Sequence, residues 1–318
     1  MRSAWASLAM IVCLCFPSRS RADDARAEGP DLAWGEAEQG RTQAVRAWAS
    51  TAVFGGRVRG SRTTLIAPSV GLQLAVTDEI SASASWAFAY GVAKVRGVYE
   101  GPSGAEPFHH EIERVEAGNP TLMLAWTPAL GDVAFRIGLG TSIPMAALAH
   151  APSDGPSAAQ REASIAIHQA MLAMHGGRDA WRFLPERLAF FIPISVTFGA
   201  DIVAFTIEWA MGWTIPVLGG RGNHEAVVQG AGDVAFMILP ELRAGLRASV
   251  SAWGIGEGAP EPRFQPSIEP WARVLLGAGF LTVRGTIDLG GADGFGSADS
   301  AVWAIHLGGG ANFEPGSL

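Results

Sequence analysis

The sequence predicts an all-β protein, a transmembrane antiparallel up-and-down β-barrel of about 12 strands with a helix in its longest outer loop. Segment after segment alternates apolar residues with polar or small ones, as a strand with two different faces requires. The predicted connections between these segments alternate between short and long. Charged residues make up only 17% of the chain, whereas soluble domains carry about a quarter.

The clearest hairpin lies at 188–215, where two alternating segments flank the turn Gly199-Ala200-Asp201. One face is apolar and rich in aromatic residues, which suits lipid at least as well as a soluble core. Phe191 is the one large apolar residue on the opposite face of the first segment. A transmembrane helix is the alternative for so apolar a stretch, but the turn divides it, Pro193 interrupts it and Glu208 falls on its polar face.

The same period-two pattern recurs along most of the chain. Together with the hairpin it indicates about 12 strands, the even number that is typical of bacterial single-chain barrels. The predicted strands lie near 48–59, 66–76, 80–90, 122–126, 133–143, 188–198, 203–215, 234–238, 242–250, 268–276, 281–289 and 303–313.

Short and long connections alternate along the chain, and this alternation is the most specific indication of a barrel. Every second connection is short, and the intervening ones are long except for 60–63. Outer-membrane barrels combine short periplasmic turns with longer extracellular loops, whereas a sandwich or propeller has no reason to do so. The short connections are 77–79, 128–131, 199–201, 239–241 and 277–279, and the long ones are 93–118, 146–187, 217–225, 255–263 and 290–300.

Aromatic residues fall near both ends of the predicted strands, as expected for girdles at the two membrane interfaces. The periplasmic set is Trp126, Phe198, Phe236 and Phe313, and the outer set is Tyr90, Phe190, Trp213 and Phe264.

One segment departs from the strand pattern. Ser157 to Gln160 is a capping box, and Ala, Ile, Met and Leu follow it up to Met174. His175-Gly176-Gly177 provides the stop signal. These signals predict a helix in the longest outer loop, lying either in the barrel mouth as a constriction or on the outer rim.

The first 22 residues predict a secretory signal peptide, with Arg2, an apolar stretch from Ala4 to Phe16 and a Ser20-Arg21-Ala22 cleavage site. A retained anchor and lipoprotein processing are the alternatives. We expect residues 23–47 to form a periplasmic segment, 48–313 the barrel and 314–318 a tail. Both cysteines lie in the predicted signal, so the mature chain has no disulfide and no cysteine-bound zinc.

Eight charged residues on the predicted polar face are expected to point into the barrel lumen, because charge at membrane depth is tolerated only there. Five arginines against three carboxylates predict a slight anion preference for an open lumen. Pairing of these charges across a plugged interior is the alternative, although many small inward residues favour open space. The eight are Arg136, Glu208, Arg243, Arg247, Glu269, Arg273, Arg284 and Asp288.

Other chemistry is weakly indicated. His109-His110-Glu111 and Glu113 lack the ligand spacing of a zinc site, and the glycine-rich run 218–222 lacks the lysine and helix of a phosphate loop. The histidines of the outer loops form no recognisable catalytic motif with nearby Ser157, Ser164 or Asp179, so we predict neither enzyme activity nor a cofactor. These histidines are His150, His168, His175 and His224.

The formal net charge of −7 argues against nucleic-acid binding.

Gly118-Asn119-Pro120 and the segments Gly131-Asp132-Val133-Ala134 and Gly232-Asp233-Val234-Ala235 carry a family resemblance. With the strand pattern of 48–313, they resemble bacterial outer-membrane β-barrel proteins, in particular the transporters grouped with the MetA pathway of phenol degradation. The resemblance implies an outer-membrane location, insertion by the barrel assembly machinery and a passive or gated path for small solutes. Many such barrels end at an aromatic residue, whereas this chain continues from Phe313 to Leu318. The remaining alternatives are a non-conducting structural or surface-binding barrel and, less favoured, an outer-membrane hydrolase.

Overall fold

The computed structural model describes ten stretches of the chain, all within residues 45–313. The predicted signal peptide, most of the predicted periplasmic segment and the tail lie outside them. The described residues are 45–58, 61–101, 104–130, 133–147, 155–175, 179–200, 202–217, 224–255, 263–289 and 303–313.

Fourteen strands, one α-helix and one 3₁₀-helix make up these stretches. The helix α1 spans Gly155–Ala173, and the 3₁₀-helix spans Ala180–Arg182. The strands are β1 (Val45–Val58), β2 (Ser61–Ala75), β3 (Ile80–Gly101), β4 (Gly104–Ala117), β5 (Thr121–Trp126), β6 (Ala129–Leu130), β7 (Val133–Ser142), β8 (Arg187–Ala200), β9 (Val203–Pro216), β10 (Glu225–Leu239), β11 (Leu242–Ile255), β12 (Arg263–Leu276), β13 (Gly279–Asp288) and β14 (Trp303–Phe313).

The sheet closes on itself into a barrel. Each strand runs antiparallel to its neighbours, and β14 returns to pair with β1 from Val45↔Phe313 to Gly55↔Trp303. Counting β4 and β5 together, twelve strands form the wall, while the two-residue β6 pairs only with β7. The predicted twelve-stranded antiparallel barrel with a loop helix is therefore confirmed.

The fourth strand of the wall is broken at Gly118–Pro120. The first part of β3 pairs with β5, and its second part pairs with β4 as far as Gly101↔Gly104. The sequence predicted a long loop at 93–118, but most of these residues form a projecting hairpin. Charged residues on the outward face, such as Lys94 and Glu111, hid the pattern because they interrupt the apolar run that marks a lipid-facing strand.

The two faces of the wall differ sharply in polarity. In β9, Ile207 and Trp209 are each 58% exposed on the outside, while Glu208 between them is 2% exposed on the inside. Seven of the eight predicted girdle aromatics, all except Phe313, are also among the exposed large side chains. Such an exterior is stable only against lipid. Among the helices that the structure describes, none is long and apolar enough to cross a membrane.

Candidate functional site: the barrel lumen

The helix α1 lies inside the barrel, against the inner faces of β1 to β4. Ile167 is completely buried, and a Cβ atom added to Gly91 would lie 3.2 Å from its Cγ1 atom. Tyr90, the neighbour of Gly91 in β3, faces outward and is 47% exposed. The structure thus decides between the two predicted positions of the helix in favour of the lumen.

Small side chains on both sides allow this close approach. The helix contributes Ala159, Ala163, Ala166, Ala170 and Ala173, all at most 3% exposed. The facing strands contribute buried Ala52, Ala67, Ala87, Ala89 and Ala93 to the same apolar cluster. The inner face of β1–β3 is therefore partly apolar because it accommodates the helix, whereas the opposite wall is polar.

The segment after the helix also packs inward. Trp181 stacks on Phe191 of β8, with ring centroids 4.4 Å apart and planes inclined by 6°. Phe191, the apolar residue that the strand pattern left unexplained, therefore supports the inserted loop. Each ring lies over an inward glycine. A Cβ atom added to Gly140 would lie 2.3 Å from the ring of Phe191, and one added to Gly212 would lie 3.0 Å from the ring of Trp181.

These glycines alter one expectation from the sequence. We expected the small inward residues to leave open space, but aromatic rings fill the space at several of them. Trp271 covers Gly245 in the same way, with two indole atoms 2.6 Å from where a Cβ would lie. Glycine at these positions provides room for side chains and for the inserted loop.

Asn119 ties both ends of the inserted loop to the break in the barrel wall. Its Oδ1 accepts hydrogen bonds from the backbone N–H groups of Met145 and Ala146, at 3.0 and 2.8 Å. Its Nδ2 donates to the carbonyl oxygens of Trp181 and Leu184, at 3.0 and 2.7 Å. The side chain is fully buried and uses all four of its hydrogen-bonding positions.

We expect the substitution Asn119→Asp to loosen the inserted loop. The aspartate carboxylate can still accept the hydrogen bonds from Met145 and Ala146, but it has no N–H to donate to the carbonyl oxygens of Trp181 and Leu184. Leaving these buried oxygens without a donor should destabilise the loop by about 1–3 kcal/mol or more. Hydrogen exchange should accelerate at 143–147 and 179–186 but not in β9–β12. Gln160→Glu on the exposed part of α1 is the matched control, and equal exchange in the two variants would contradict this role.

A belt of charge lies on the opposite wall, around the middle of the strands. Arg247 of β11 forms a buried ion pair with Glu208 of β9, and its direct cross-strand neighbours are Asp233 and Glu269. Arg284 Nε lies 3.6 Å from Glu269 Oε2. In addition, Trp271 Nε1 donates to Asp233 Oδ2 at 3.0 Å.

Several inward arginines lie near the short-turn end of the barrel. Arg46 and Arg273 both lie over the ring of Phe280, with Cζ 4.7 and 4.3 Å from its centroid. Arg243 is the direct cross-strand neighbour of Arg273, and Arg136 is buried on the inner face of β7.

The outer part of the lumen carries uncharged polar groups in addition to Asp288 and the ion pair of Arg187 with Glu225. Gln229, Ser251 and Gln265 are direct cross-strand neighbours on β10–β12, and Gln229 Oε1 accepts a hydrogen bond from the Asp179 backbone. His306 Nε2 lies 2.8 Å from the Met174 carbonyl oxygen just after α1. The inserted loop is thus hydrogen-bonded to the polar wall as well.

All eight charged residues predicted for the lumen lie on the inner face of the barrel. The prediction omitted Arg46, which precedes the expected start of the barrel at 48, and Asp233, which precedes the expected strand at 234–238. Extending the period-two pattern by a few residues at each strand end would have found both.

The other candidate groups are dispersed. Glu113 accepts a hydrogen bond from Tyr90, and Glu111 pairs with Lys94 at 2.9 Å, both on the projecting hairpin. His168 Nδ1 lies 3.0 Å from the Ser164 carbonyl oxygen and not beside a hydroxyl. Within the described stretches, no three His, Cys, Asp or Glu residues are grouped to hold a metal. His150 and the run 218–222 lie outside those stretches.

No protein-family model and no curated protein matches the chain. Among solved structures it is similar to an outer-membrane channel from Pseudomonas putida F1, at 11% identity and a TM-score of 0.54 over 92% of this chain and 100% of that one. The shared fold is that of an outer-membrane β-barrel. The barrel is also similar to the NanC porin (10% identity, TM-score 0.45, 83% of this chain and 99% of that one) and to the CymD monoaromatic hydrocarbon channel (7% identity, TM-score 0.43, 86% and 89%).

The predicted resemblance to outer-membrane barrels is thereby confirmed at the level of the fold. A closed antiparallel barrel of this fold with an apolar exterior lies in the bacterial outer membrane. The lumen, lined by α1 on one side and by charged and polar side chains on the other, is the candidate functional site.

Proposed function

We propose that the barrel is a passive path for small solutes across the outer membrane and that the inserted loop sets its width. The observation that carries the proposal is the asymmetry of the lumen. The helix α1 covers the partly apolar inner face of β1–β3, while Glu208, Arg247 and Glu269 of the facing wall point inward and are each at most 3% exposed. Polar groups along a wall are what a solute crossing an apolar membrane requires.

The inserted loop explains how a twelve-stranded barrel restricts passage. Eight-stranded barrels are filled by side chains, whereas barrels of 16–18 strands leave an aqueous channel. A barrel of twelve strands lies between these sizes. The ring pair Trp181 and Phe191, the helix α1 and the ties at Asn119 and His306 occupy part of its cross-section.

Single-channel recording in planar bilayers tests this proposal. The folded full-length mature chain should give small, discrete conductance steps. A folded barrel that neither conducts nor releases solute from vesicles would contradict the proposal and favour the alternative, in which the loop and the buried ion pairs seal a structural barrel.

The adjacent residues Phe190 and Phe191 provide a matched pair of variants. Phe191→Ala removes the support of Trp181 inside the lumen and should raise the conductance about twofold or more, since a buried ring is lost from the path. Phe190→Ala removes the same volume from the lipid-facing side, where Phe190 is 46% exposed, and should leave the conductance unchanged. Equal effects of the two substitutions would show that the inserted loop does not limit the path.

A further inference from the structure

We propose that a patch of buried polar side chains on β10–β13 binds the hydroxyl groups of a neutral polyhydroxylated solute, such as a small sugar. This inference rests on the proposed function and names the class of solute that the same lumen takes. We call these side chains, each at most 8% exposed, the polar patch. They are Gln229, Ser249, Ser251, Gln265, Ser267 and Asp288.

The polar patch is continuous across four neighbouring strands. Its outer row consists of the cross-strand neighbours Gln229, Ser251 and Gln265. In the second row, two residues further along these strands, Ser249 lies opposite Ser267, and their Oγ atoms are 2.7 Å apart. Ser267 in turn lies opposite Asp288 of β13. Side chains that face each other on adjacent strands lie about 5 Å apart, so the two rows form one surface.

Three members of the polar patch have buried atoms without a hydrogen-bond partner among the described residues. These atoms are Nε2 of Gln229, Oγ of Ser251 and both carboxyl oxygens of Asp288. The three side chains are 2%, 0% and 6% exposed, respectively. Buried polar atoms of native proteins are normally hydrogen-bonded, so a bound group that pairs with these atoms would complete the wall.

The unpartnered atoms include both donors and acceptors, and this combination selects the class of solute. Nε2 of Gln229 can only donate, the carboxyl group of Asp288 offers acceptor oxygens, and the hydroxyl group of Ser251 can do either. A cation would pair with Asp288 but not with Gln229 Nε2, and an anion would pair with Gln229 but not with an ionised Asp288. Because a hydroxyl group both donates and accepts, a solute with several hydroxyl groups can pair with all three.

The inserted loop is hydrogen-bonded to the wall on both sides of the polar patch. On the β10 side, the backbone N–H of Asp179 donates to Gln229 Oε1 at 3.1 Å. On the β13–β14 side, His306 Nε2 lies 2.8 Å from the Met174 carbonyl oxygen and 3.2 Å from Thr286 Oγ1. A solute that passes between the loop and this wall therefore crosses the polar patch. Hydrogen bonds formed there are strengthened by the exclusion of bulk water.

Saturation-transfer NMR on the folded full-length mature chain, in a detergent without a sugar headgroup, tests the proposal with maltose, choline and acetate as separate probes. Maltose should give saturable signals, and choline and acetate should bind more weakly. The substitution Ser251→Ala should weaken maltose binding about two- to tenfold, the loss expected for one hydrogen bond. Because the Ser251 hydroxyl has no partner within the described part of the chain, the variant should fold as the wild type does.

The matched control is Ser142→Ala. This substitution also removes a buried, unpartnered hydroxyl group from the inner face of the barrel. Ser142 lies on β7, however, where its direct cross-strand neighbours are Thr121 and Ala189. Maltose binding should therefore be the same in Ser142→Ala as in the wild type. Equal weakening by the two serine substitutions would overturn the assignment of the site to the polar patch.

Asp288→Asn provides a second variant of the site. It keeps the shape of the side chain but replaces one acceptor oxygen with a donor, and it should also weaken maltose binding. Unchanged maltose binding in the folded Ser251→Ala and Asp288→Asn variants would overturn the proposal. The absence of a saturable maltose signal in the wild type would overturn it as well, and would leave ordered water as the partner of these atoms. Choline binding as tight as that of maltose would identify a cation site instead.

The NMR measurement does not require conduction, so the two proposals fail separately. If maltose binds through Ser251 but the barrel neither conducts nor releases solute, the solute path is wrong and the hydroxyl-binding site stands. If the barrel conducts and maltose binding is absent or the same in the wild type and in Ser251→Ala, the site is wrong and the path stands.

Discussion

Replacing Ile167 with glutamate should release α1 from the barrel wall and raise the single-channel conductance severalfold. Ile167 is completely buried between α1 and the inner faces of β2 and β3, beside Leu65 and Gly91. A carboxylate held there without a partner would cost several kcal/mol. The strand pairings that close the barrel do not involve Ile167, so the barrel should still fold while the helix moves away.

The matched control is Gln160→Glu, which adds the same charge to an exposed position of the same helix. It should leave the conductance at the wild-type value. Limited proteolysis provides a second measurement, because a released loop should be cut near α1 while the strands stay intact. Wild-type conductance and wild-type proteolysis in the folded Ile167→Glu variant would show that the helix does not obstruct the lumen.

Replacing Arg247 with methionine should have the largest effect on stability. The substitution leaves Glu208, which is 2% exposed, without its guanidinium partner. Removing one member of a buried ion pair costs about 3–5 kcal/mol, chiefly because the other charge remains buried. The midpoint of urea unfolding, followed in lipid vesicles, should fall accordingly. Ion selectivity should shift toward cations, because the belt then has more carboxylates for each arginine.

The double substitution Arg247→Met with Glu208→Gln separates a charge effect from a packing effect. It removes both members of the pair and should recover much of the lost stability. Glu208→Gln alone should be milder than Arg247→Met, because Arg247 still has Asp233 and Glu269 as direct cross-strand neighbours. A double variant as unstable as Arg247→Met would mean that Arg247 stabilises the barrel through packing.

Much of the candidate site could be predicted from local pattern. Because successive side chains of a strand point to opposite faces, the alternation around Glu208, Glu269 and Arg273 was enough to assign these residues to the lumen. The same rule failed at 93–118. There, Lys94, Glu111 and Glu113 are charged on the outward face, so this face lacks the apolar run that marks the lipid-facing strands.

Other features required contacts between residues far apart in the chain. Phe191 interrupted the polar face of β8 for no reason visible in its own segment, and its partner Trp181 lies in the long loop before that strand. Asn119 belongs to the motif Gly118-Asn119-Pro120, which gives no sign of its hydrogen bonds to Met145, Ala146, Trp181 and Leu184. Neither pairing has a fixed spacing that a local pattern could detect.

The amino-acid sequence by itself determined the barrel, the number of its strands, the end that carries the short turns and the inward face of the eight predicted lumen charges. These features follow from the alternation of side chains between the two faces of a strand, one of which meets lipid and the other the lumen. Each face selects its residues position by position, so the pattern can be read from neighbouring residues. Only the tertiary structure decided that α1 lies in the lumen, that aromatic rings fill the space above the inward glycines and that Arg46 and Arg273 both lie over the ring of Phe280. Those outcomes depend on contacts between residues that are far apart in the chain. Such residues come together only when the barrel closes.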